Sequence, residues 1–224
     1  MRLAVRRPGF CAAVVLTLAI GIGGNTGVFS LVDAVVLNPL PYAEPGDLYG
    51  LMERDRSGSV RLPSYPTFED WRERSQAFQS LAFARGEPLS YRTDEQAGLL
   101  LGAFVSEAFF ETFAVPAESG RVLLGDDYQP GAQGVALLSH QAWERWFGRD
   151  PDVVGTSMLL DDRPFSIVGI MPSSFAFPDW GADNDLWLPI NQIAPADYGA
   201  LMQRGYHADS RVVGRLASGA SLGQ

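Results

Sequence analysis

The sequence predicts an α+β fold, in which one N-terminal transmembrane helix precedes a mixed α/β domain outside the cytoplasm. Three observations support this prediction. The 25 residues from Pro8 to Val32 include no charged side chain. Residues 1–32 carry a charge of +3 and no acid, whereas residues 33–224 carry −12, which gives the net charge of −9. After residue 47, short apolar runs alternate with amphipathic stretches, as strands alternate with helices in folded domains.

The uncharged run exceeds the roughly 20 apolar residues that a helix needs to cross a bilayer. Arg2, Arg6 and Arg7 precede it and Asp33 follows it, so we expect the N-terminus in the cytoplasm. The apolar pattern continues beyond Asp33 and predicts a helix over residues 10–37. Such a helix is about 42 Å long, which exceeds the hydrocarbon core of about 30 Å. We therefore expect its last turns to form a short stalk outside the membrane, since an aspartate is costly at depth.

A cleaved signal peptide is the rival interpretation of this segment. The apolar run is longer than a signal peptide needs, and no A-x-A cleavage pattern follows it. The preferred division is a basic cytoplasmic tail at 1–9, the helix and stalk at 10–37, a core domain at 38–216, and a linker or truncation point at 217–224.

Small residues form a stripe along the predicted helix. Ala19, Gly23 and Gly27 recur at every fourth position, which places them on one face where a second helix can approach closely. The alternative is that glycine is simply frequent in transmembrane helices. The same glycines do not make a dinucleotide loop, because Thr26 occupies the place of the last required glycine and no strand precedes the stretch. We predict a helix-packing interface at Ala19, Gly23 and Gly27.

The core domain is predicted from hydrophobic patterns and capping residues. Ser139 and Gly148 bound one helix as its N-cap and C-terminal stop. Ser106 is expected to cap a short phenylalanine-rich helix, and the doublets at 126–127 and 161–162 are interpreted as solvated turns. The predicted helices are Tyr65–Ala82, a short one carrying Phe109, Phe110 and Phe113, and His140–Phe147. The predicted strands are Asp47–Glu53, Leu99–Val105, Val135–Leu138, Thr156–Leu160, Pro164–Ile170, Leu186–Ile190 and Arg211–Leu216. The strands at 156–160 and 164–170 are expected to form a hairpin that turns at Asp161-Asp162-Arg163.

Composition and motifs argue against most chemistry. The acidic balance disfavours a nucleic-acid partner, and a single cysteine, Cys11, excludes an intramolecular disulfide. Ser139 and His140 are adjacent, but no G-x-S-x-G turn is present, so a membrane-tethered hydrolase is only a third hypothesis. Asp179, Asp183 and Asp185 share one loop but lack the spacing of an EF-hand. We expect no enzyme activity, no cofactor and no metal site.

Several sequence blocks resemble the MacB/FtsX-like permeases, above all the bacterial orphan permeases whose transmembrane-plus-periplasmic unit is duplicated. The phrase at 16–42 and the order of the later blocks are the specific part of this resemblance, which runs from about residue 6 to 216. The matching blocks are RRPGF (6–10), LTLAIGIGGNTGVFSLVDAVVLNPLPY (16–42), SYPTFEDWRERSQAF (64–78), VALLSHQAWERWFG (135–148), DPDVVGTSMLLDDRPFSIVGIMP (150–172) and DLWLPI (185–190).

The resemblance implies a first transmembrane helix in the bacterial inner membrane followed by a MacB-like periplasmic core domain. It implies a two-lobed domain, one lobe of βαβ character and one inserted. It also implies a separate or fused ABC ATPase that drives the permease, and, in MacB-type systems, a periplasmic adaptor that docks on the domain. The chain has no lysine and no G-x-x-x-x-G-K-[ST] motif, so it supplies no ATPase site of that kind.

The chain is therefore expected to act as a membrane-anchored subunit of an ABC-type permease in transport or efflux. It is also expected to be a fragment of that subunit. Its helix would couple cytoplasmic ATPase motion to the periplasm, a mechanotransmission role, and would pack against other permease helices of a homodimer or a duplicated half. A single-span periplasmic binding or scaffold module without transport activity remains the alternative.

Overall fold

The computed structural model describes residues 9, 16–19, 21–23, 42, 44–93, 96–175, 177, 184–207 and 209–220, except the side chain at 196. The chain divides into two compact units, Met1–Leu40 and Pro41–Gln224. In the first unit, residues 9, 16–19 and 21–23 are helical. Among the described residues, no helix has both the length and the apolar character needed to cross a membrane. The transmembrane helix over 10–37 and the division of the chain into four segments thus stay predictions.

The second unit is a mixed α+β domain, which confirms the predicted fold class for this part of the chain. Its helices are α1 (Tyr65–Arg74), α2 (Phe109–Phe113), α3 (His140–Phe147) and α4 (Pro195–Leu201), with 3₁₀ turns η1 (Pro45–Asp47), η2 (Gly125–Tyr128) and η3 (Ile190–Gln192). Its strands are β1 (Leu48–Leu51), β2 (Glu53–Arg54), β3 (Val60–Arg61), β4 (Phe78–Arg92), β5 (Ala97–Val105), β6 (Ser119–Gly120), β7 (Val135–Leu138), β8 (Ser157–Leu160), β9 (Arg163–Ile170), β10 (Leu186–Pro189) and β11 (Ser210–Leu216).

One mixed sheet organises the domain. Its strands follow the order β1-β11-β4-β5-β10-β7-β9-β6, with β5/β10 and β7/β9 parallel and the other neighbours antiparallel. Strand β8 pairs with both β9 and β4. The six strands β4-β5-β10-β7-β9-β8 therefore form a closed circuit. Closure removes exposed strand edges. Strands β2 and β3 form a separate short hairpin. No second lobe divides from residues 41–224 in the described part of the chain, unlike the two lobes that the resemblance implied.

Two apolar clusters occupy the two faces of the sheet. Alternate residues of each strand point to opposite faces: Leu100 and Phe104 of β5 belong to the first cluster, whereas Ala103 and Val105 belong to the second. The first cluster also receives Phe68 of α1 and the tryptophan-rich side of α3. The phenylalanines of α2 cover the second cluster. The short helices are therefore stabilised by tertiary packing, since helices of five to ten residues are marginal alone.

The helix predicted over Tyr65–Ala82 is wrong beyond Arg74. The chain leaves α1 at Ser75 and enters β4 at Phe78, the longest strand of the domain. Phe78 and Leu81 have helical spacing, but strand pairing with β5 and β11 outweighs this local pattern. The ring of Phe78 lies over Gly214 of β11, where an added Cβ would be 2.5 Å from the ring. A side chain at position 214 would therefore displace Phe78.

Most of the other predicted elements are confirmed. Strand residues 135–138, 186–189 and 211–216 and helix 140–147 lie where the sequence placed them. Strands β8 and β9 form the expected hairpin, whose two-residue turn at Asp161 and Asp162 has positive φ angles of 46° and 59°. Aspartate tolerates this left-handed backbone better than most residues. Asp161 Oδ1 also accepts the backbone N–H of Ser90 at 2.9 Å, which joins the turn to β4.

Two local predictions need correction. Ser106 does not cap α2, because its hydroxyl accepts the backbone N–H of Phe83 at 2.9 Å and so fastens the chain after β5 to β4. Asp127 is not in a solvated turn. It is buried, with a bidentate ion pair to Arg121 at 2.6 and 2.8 Å. Its neighbour Asp126 is exposed, as the sequence suggested.

Candidate functional site

The predicted helix-packing stripe lies only partly within the described residues. Ala19 and Gly23 are helical and exposed, and an added Cβ at Gly23 would meet no atom within 4 Å. Gly27 lies outside the described residues, as do Cys11 and Asn25. An open glycine on a helix surface is the geometry that a packing partner needs, so the interface stays a prediction with a compatible local structure.

The residues considered for catalysis have structural partners. Ser139 Oγ accepts the backbone N–H of Ala142 at 3.0 Å, as expected for the N-cap of α3. The side chain of His140 is partly buried, with 18% of its surface exposed. Its Nδ1 lies 2.8 Å from Glu118 Oε2 and its Nε2 lies 3.5 Å from Glu144 Oε1. The other histidine, His207, bonds through Nδ1 to the carbonyl oxygen of Leu62 at 2.6 Å.

Replacing Ser139 by alanine is expected to lower the free energy of unfolding by about 1 kcal/mol, because α3 loses its capping acceptor. Ser139→Thr retains an oxygen at that position and should lose less. Urea denaturation of the three proteins measures this effect. A loss below about 0.3 kcal/mol for Ser139→Ala would contradict the capping role, since cap removal costs at least about 0.5 kcal/mol.

Of the three loop aspartates, only Asp185 lies within the described residues. Asp185 Oδ2 accepts the backbone N–H of Leu101 at 2.8 Å, which joins the start of β10 to β5. Asp179 and Asp183 lie outside the described residues. Within the part of the chain that is described, no group of three His, Cys, Asp or Glu residues could hold a metal ion.

A cleft of about 520 Å³ opens at the surface of the domain. Its volume falls within the range of about 300–1,000 Å³ that is typical of small-molecule sites. Its walls come from α1, the start of β4, the N-terminal end of α2, and the turns η2 and η3, with α4 at the rim. The aromatic residues among its walls are Tyr65, Phe68, Phe78, Tyr128 and Tyr198.

The cleft carries a negative charge. Glu69 is paired with Arg72 at 2.7 Å, so these two charges cancel. Glu107 and Glu111 also line the cleft and are exposed. Among the described residues, no cation lies within 4.0 Å of either carboxylate. Glu107 lies two residues before the first residue of α2 and Glu111 lies within that helix, so two uncompensated negative charges stand at the cleft.

Two partly buried tyrosines line the cleft. Burial raises the pKa of Tyr65 above its ordinary value, and Glu69 adds to the effect. Burial also raises the pKa of Tyr128, with further contributions from Asp127 and Glu107. Both phenols are therefore neutral at physiological pH, and Tyr128 Oη donates to the carbonyl oxygen of Ser106 at 3.1 Å. They offer the cleft neutral aromatic walls with polar tips.

Sequence patterns did not identify the cleft, because its walls come from segments that are distant along the chain. The detectable signal was limited to α2, where Glu107 and Glu111 flank a run of phenylalanines.

A second unexpected feature is the buried Arg85 of β4, which lies 3.5 Å from Glu87 and 5.7 Å above the ring of Tyr206. Burial raises the pKa of Glu87, although the charge of Arg85 opposes the shift.

Comparison with known proteins gives a consistent family. A family model described as "MacB-like periplasmic core domain" matches residues 12–224. The macrolide export ATP-binding/permease protein MacB of Burkholderia pseudomallei strain K96243 is 27% identical over 218 residues, covering 88% of this chain and 31% of that protein. MacB of Neisseria meningitidis serogroup B strain MC58 is 25% identical over 161 residues, covering 71% and 24%. The chain thus spans about a quarter to a third of these curated relatives.

Solved structures share the fold. The periplasmic region of MacB from Actinobacillus actinomycetemcomitans aligns with a TM-score of 0.59 at 14% identity, covering 79% of this chain and 78% of that one. The extracellular domain of the noncanonic ABC-type transporter YknZ from Gram-positive bacteria aligns with a TM-score of 0.55 at 10% identity, covering 77% and 84%. Because the family model matches nearly the whole sequence, this chain belongs to the family of MacB-like periplasmic core domains.

Proposed function

We propose that the chain is the anchored periplasmic part of an ABC-type permease, which couples motion at the cytoplasmic face of the inner membrane to the periplasm during transport or efflux. The observation that carries this proposal is the extent of the family match, which begins at residue 12. The match therefore includes most of the uncharged segment predicted to span the membrane as well as the folded domain.

The physical properties of the described domain suit a mechanical element better than an enzyme. Its sheet is closed through β8, and two apolar clusters fill both faces. Closely packed cores transmit displacement with little deformation. Ser139 and His140 are engaged in a helix cap and in contacts with glutamates, so we propose no catalytic role for them.

The partners follow from this proposal. A separate or fused ABC ATPase would supply the motion, because the chain has no phosphate-binding lysine motif. Other permease helices would pack on Ala19, Gly23 and Gly27, either in a homodimer or in a duplicated half, and a periplasmic adaptor would be a further partner. The acidic surface gives no reason to expect nucleic acid. The alternative, a single-span binding or scaffold module, is favoured by the 520 Å³ cleft.

Replacing Gly23 and Gly27 together by leucine tests the proposal. An added side chain on a close-packed helix face costs about 1–3 kcal/mol, so association should weaken roughly tenfold. Two differently tagged copies of the full chain would be co-expressed in a bacterial inner membrane, and the co-purified fraction would be measured. A reporter active only in the periplasm, fused after the last residue, would measure insertion separately.

The control replaces Gly21 and Gly24 by leucine, because these glycines lie off the stripe and add the same apolar bulk. We expect the control to associate normally and all variants to insert normally. Unchanged association of the Gly23/Gly27 variant would instead favour the single-span binding module.

A further inference from the structure

We propose that the cleft between α1, α2 and η2 is a binding site for a small amphiphilic organic cation, held by the carboxylates of Glu107 and Glu111 and by an aromatic surface. This inference goes beyond the proposed coupling function and does not depend on it, since it rests on the cleft alone. The site lies within the second compact unit, Pro41–Gln224.

Partly exposed aromatic rings form one part of the cleft wall. Phe78 and Tyr65 are partly buried and Tyr198 is 42% exposed, whereas Phe68 is fully buried. Tyr65 is held in place by two buried rings: its ring centroid is 5.7 Å from that of Phe68 and 5.0 Å from that of Phe83. Aromatic rings that are fixed by such contacts offer large contact area at low entropic cost.

The charge of the cleft selects a cation. Its only arginine, Arg72, is already paired with Glu69, and the two remaining carboxylates have no cationic partner within 4.0 Å among the described residues. An anion would be repelled by two negative charges, and no unpaired cationic side chain among the lining residues would attract it. A cation gains both carboxylates and, in addition, the negative faces of the aromatic rings, which attract a charged nitrogen within about 6 Å.

An organic cation fits better than a bare metal ion. Two glutamates do not provide the six or more oxygen ligands that Ca²⁺ takes, and the described residues include no metal-binding group of three. A cleft of about 520 Å³ also has far more volume than an ion needs. The partly exposed rings of Tyr65, Phe78 and Tyr198 would contact the hydrocarbon part of an amphiphile, whereas a bare ion makes no use of them.

Equilibrium dialysis of the purified full chain in phosphatidylcholine nanodiscs would test the site. The probe is benzyltriethylammonium, and the comparison is 4-tert-butylbenzoate, an anion of similar size. Empty nanodiscs correct for partition into lipid. We expect one saturable site per chain for the cation, weaker binding at high salt because the carboxylates are exposed, and no saturable binding of the anion.

Glu107→Gln combined with Glu111→Gln should weaken binding of the cation about tenfold, since each exposed ion pair contributes about 0.2–1 kcal/mol. Asp152→Asn combined with Asp162→Asn removes the same charge from exposed turns outside the cleft and should change binding less than twofold. Tyr198→Ala should also weaken binding, which charge alone does not explain.

Three results would overturn the proposal. These are no saturable binding of the cation, equal binding of the anion, and an equal loss in the Asp152/Asp162 control, which would indicate general attraction by the acidic surface. Thermal unfolding of each variant verifies the fold. Because residues 107 and 111 are exposed, their substitution should leave the unfolding temperature unchanged. Because the assay requires neither helix association nor an ATPase, its failure would leave the coupling function untouched.

Discussion

Replacing Phe109 by alanine is expected to lower the free energy of unfolding by about 3–5 kcal/mol. Phe109 is 0% exposed and is the centre of an aromatic group on the second face of the sheet. Its ring centroid lies 5.0 Å from that of Phe110, 5.1 Å from Phe113 and 5.3 Å from Phe177. Removing the ring leaves a cavity that five-residue α2 cannot close without losing its contacts with β4 and β11. Domains of this size are stable by only about 5–15 kcal/mol, so much of the stability would be lost.

Urea denaturation at neutral pH, followed by tryptophan fluorescence and by circular dichroism, would measure the Phe109 effect. Leu99→Ala is the matched control, because Leu99 is 62% exposed on β5 and exposed truncations usually change stability by less than about 0.5 kcal/mol. A loss under about 1 kcal/mol for Phe109→Ala would mean that the phenylalanine group does not hold α2 on the sheet. Since α2 carries Glu111, the same variant should also weaken cation binding at the cleft.

Elements with strong local determinants were predictable from sequence. The four consecutive apolar residues of β7 indicated a fully buried strand, and the Asp161-Asp162 turn indicated the hairpin between β8 and β9. Helix α3 has a serine at its N-cap and, at its end, Gly148 with a φ of 57°. Each signal lies within a few residues of the element that it specifies, so the sequence alone is enough to interpret it.

The failures share a different cause. The residues after Arg74 have helical spacing, yet β4 is fixed by pairing with β11, more than 100 residues later. Ser106 stands in a sequence context that is typical of a helix cap. Its hydroxyl instead accepts the backbone N–H of Phe83 in β4. Non-local pairing of this kind outweighs local propensity, and no pattern around Ser106 reveals the location of Phe83.

The cleft was unpredictable for the same reason. Glu107 lies near Tyr65 and Phe68 only because β4 carries the chain from the end of α1 back to the sheet, and β5 returns it to the start of α2. Sequence inspection can identify Glu107 and Glu111 as one acidic side of a helix, but a charge run is usually a solvated face. Their functional interpretation depends on the aromatic walls that the sheet brings opposite to them.

Replacing Asp127 by asparagine is expected to lower the free energy of unfolding by about 2 kcal/mol at neutral pH. Asp127 is 6% exposed, and its Oδ2 accepts the N–H of Leu124 at 2.8 Å in addition to the contact with Arg121. Breaking a fully buried ion pair costs about 3–5 kcal/mol, but the Arg121 side chain is 42% exposed, which moderates the loss. Asp126→Asn is the control, because Asp126 is an exposed carboxylate one residue away, and it should change stability by less than about 0.5 kcal/mol.

The pH dependence distinguishes an ion pair from simple packing at Asp127. Burial raises the pKa of its carboxyl, but the hydrogen bonds from Arg121 and Leu124 outweigh this, and the net pKa lies below the ordinary value of 3.8. A depressed pKa contributes stability that is complete above the unfolded value and is lost as the pH falls through the folded value. The gap in unfolding free energy between wild type and Asp127→Asn should therefore be constant from pH 5 to 8, as estimated from this linkage, and should shrink below the ordinary carboxyl range. A gap that stays constant into acid would show that the asparagine disturbs packing rather than the charge pair with Arg121.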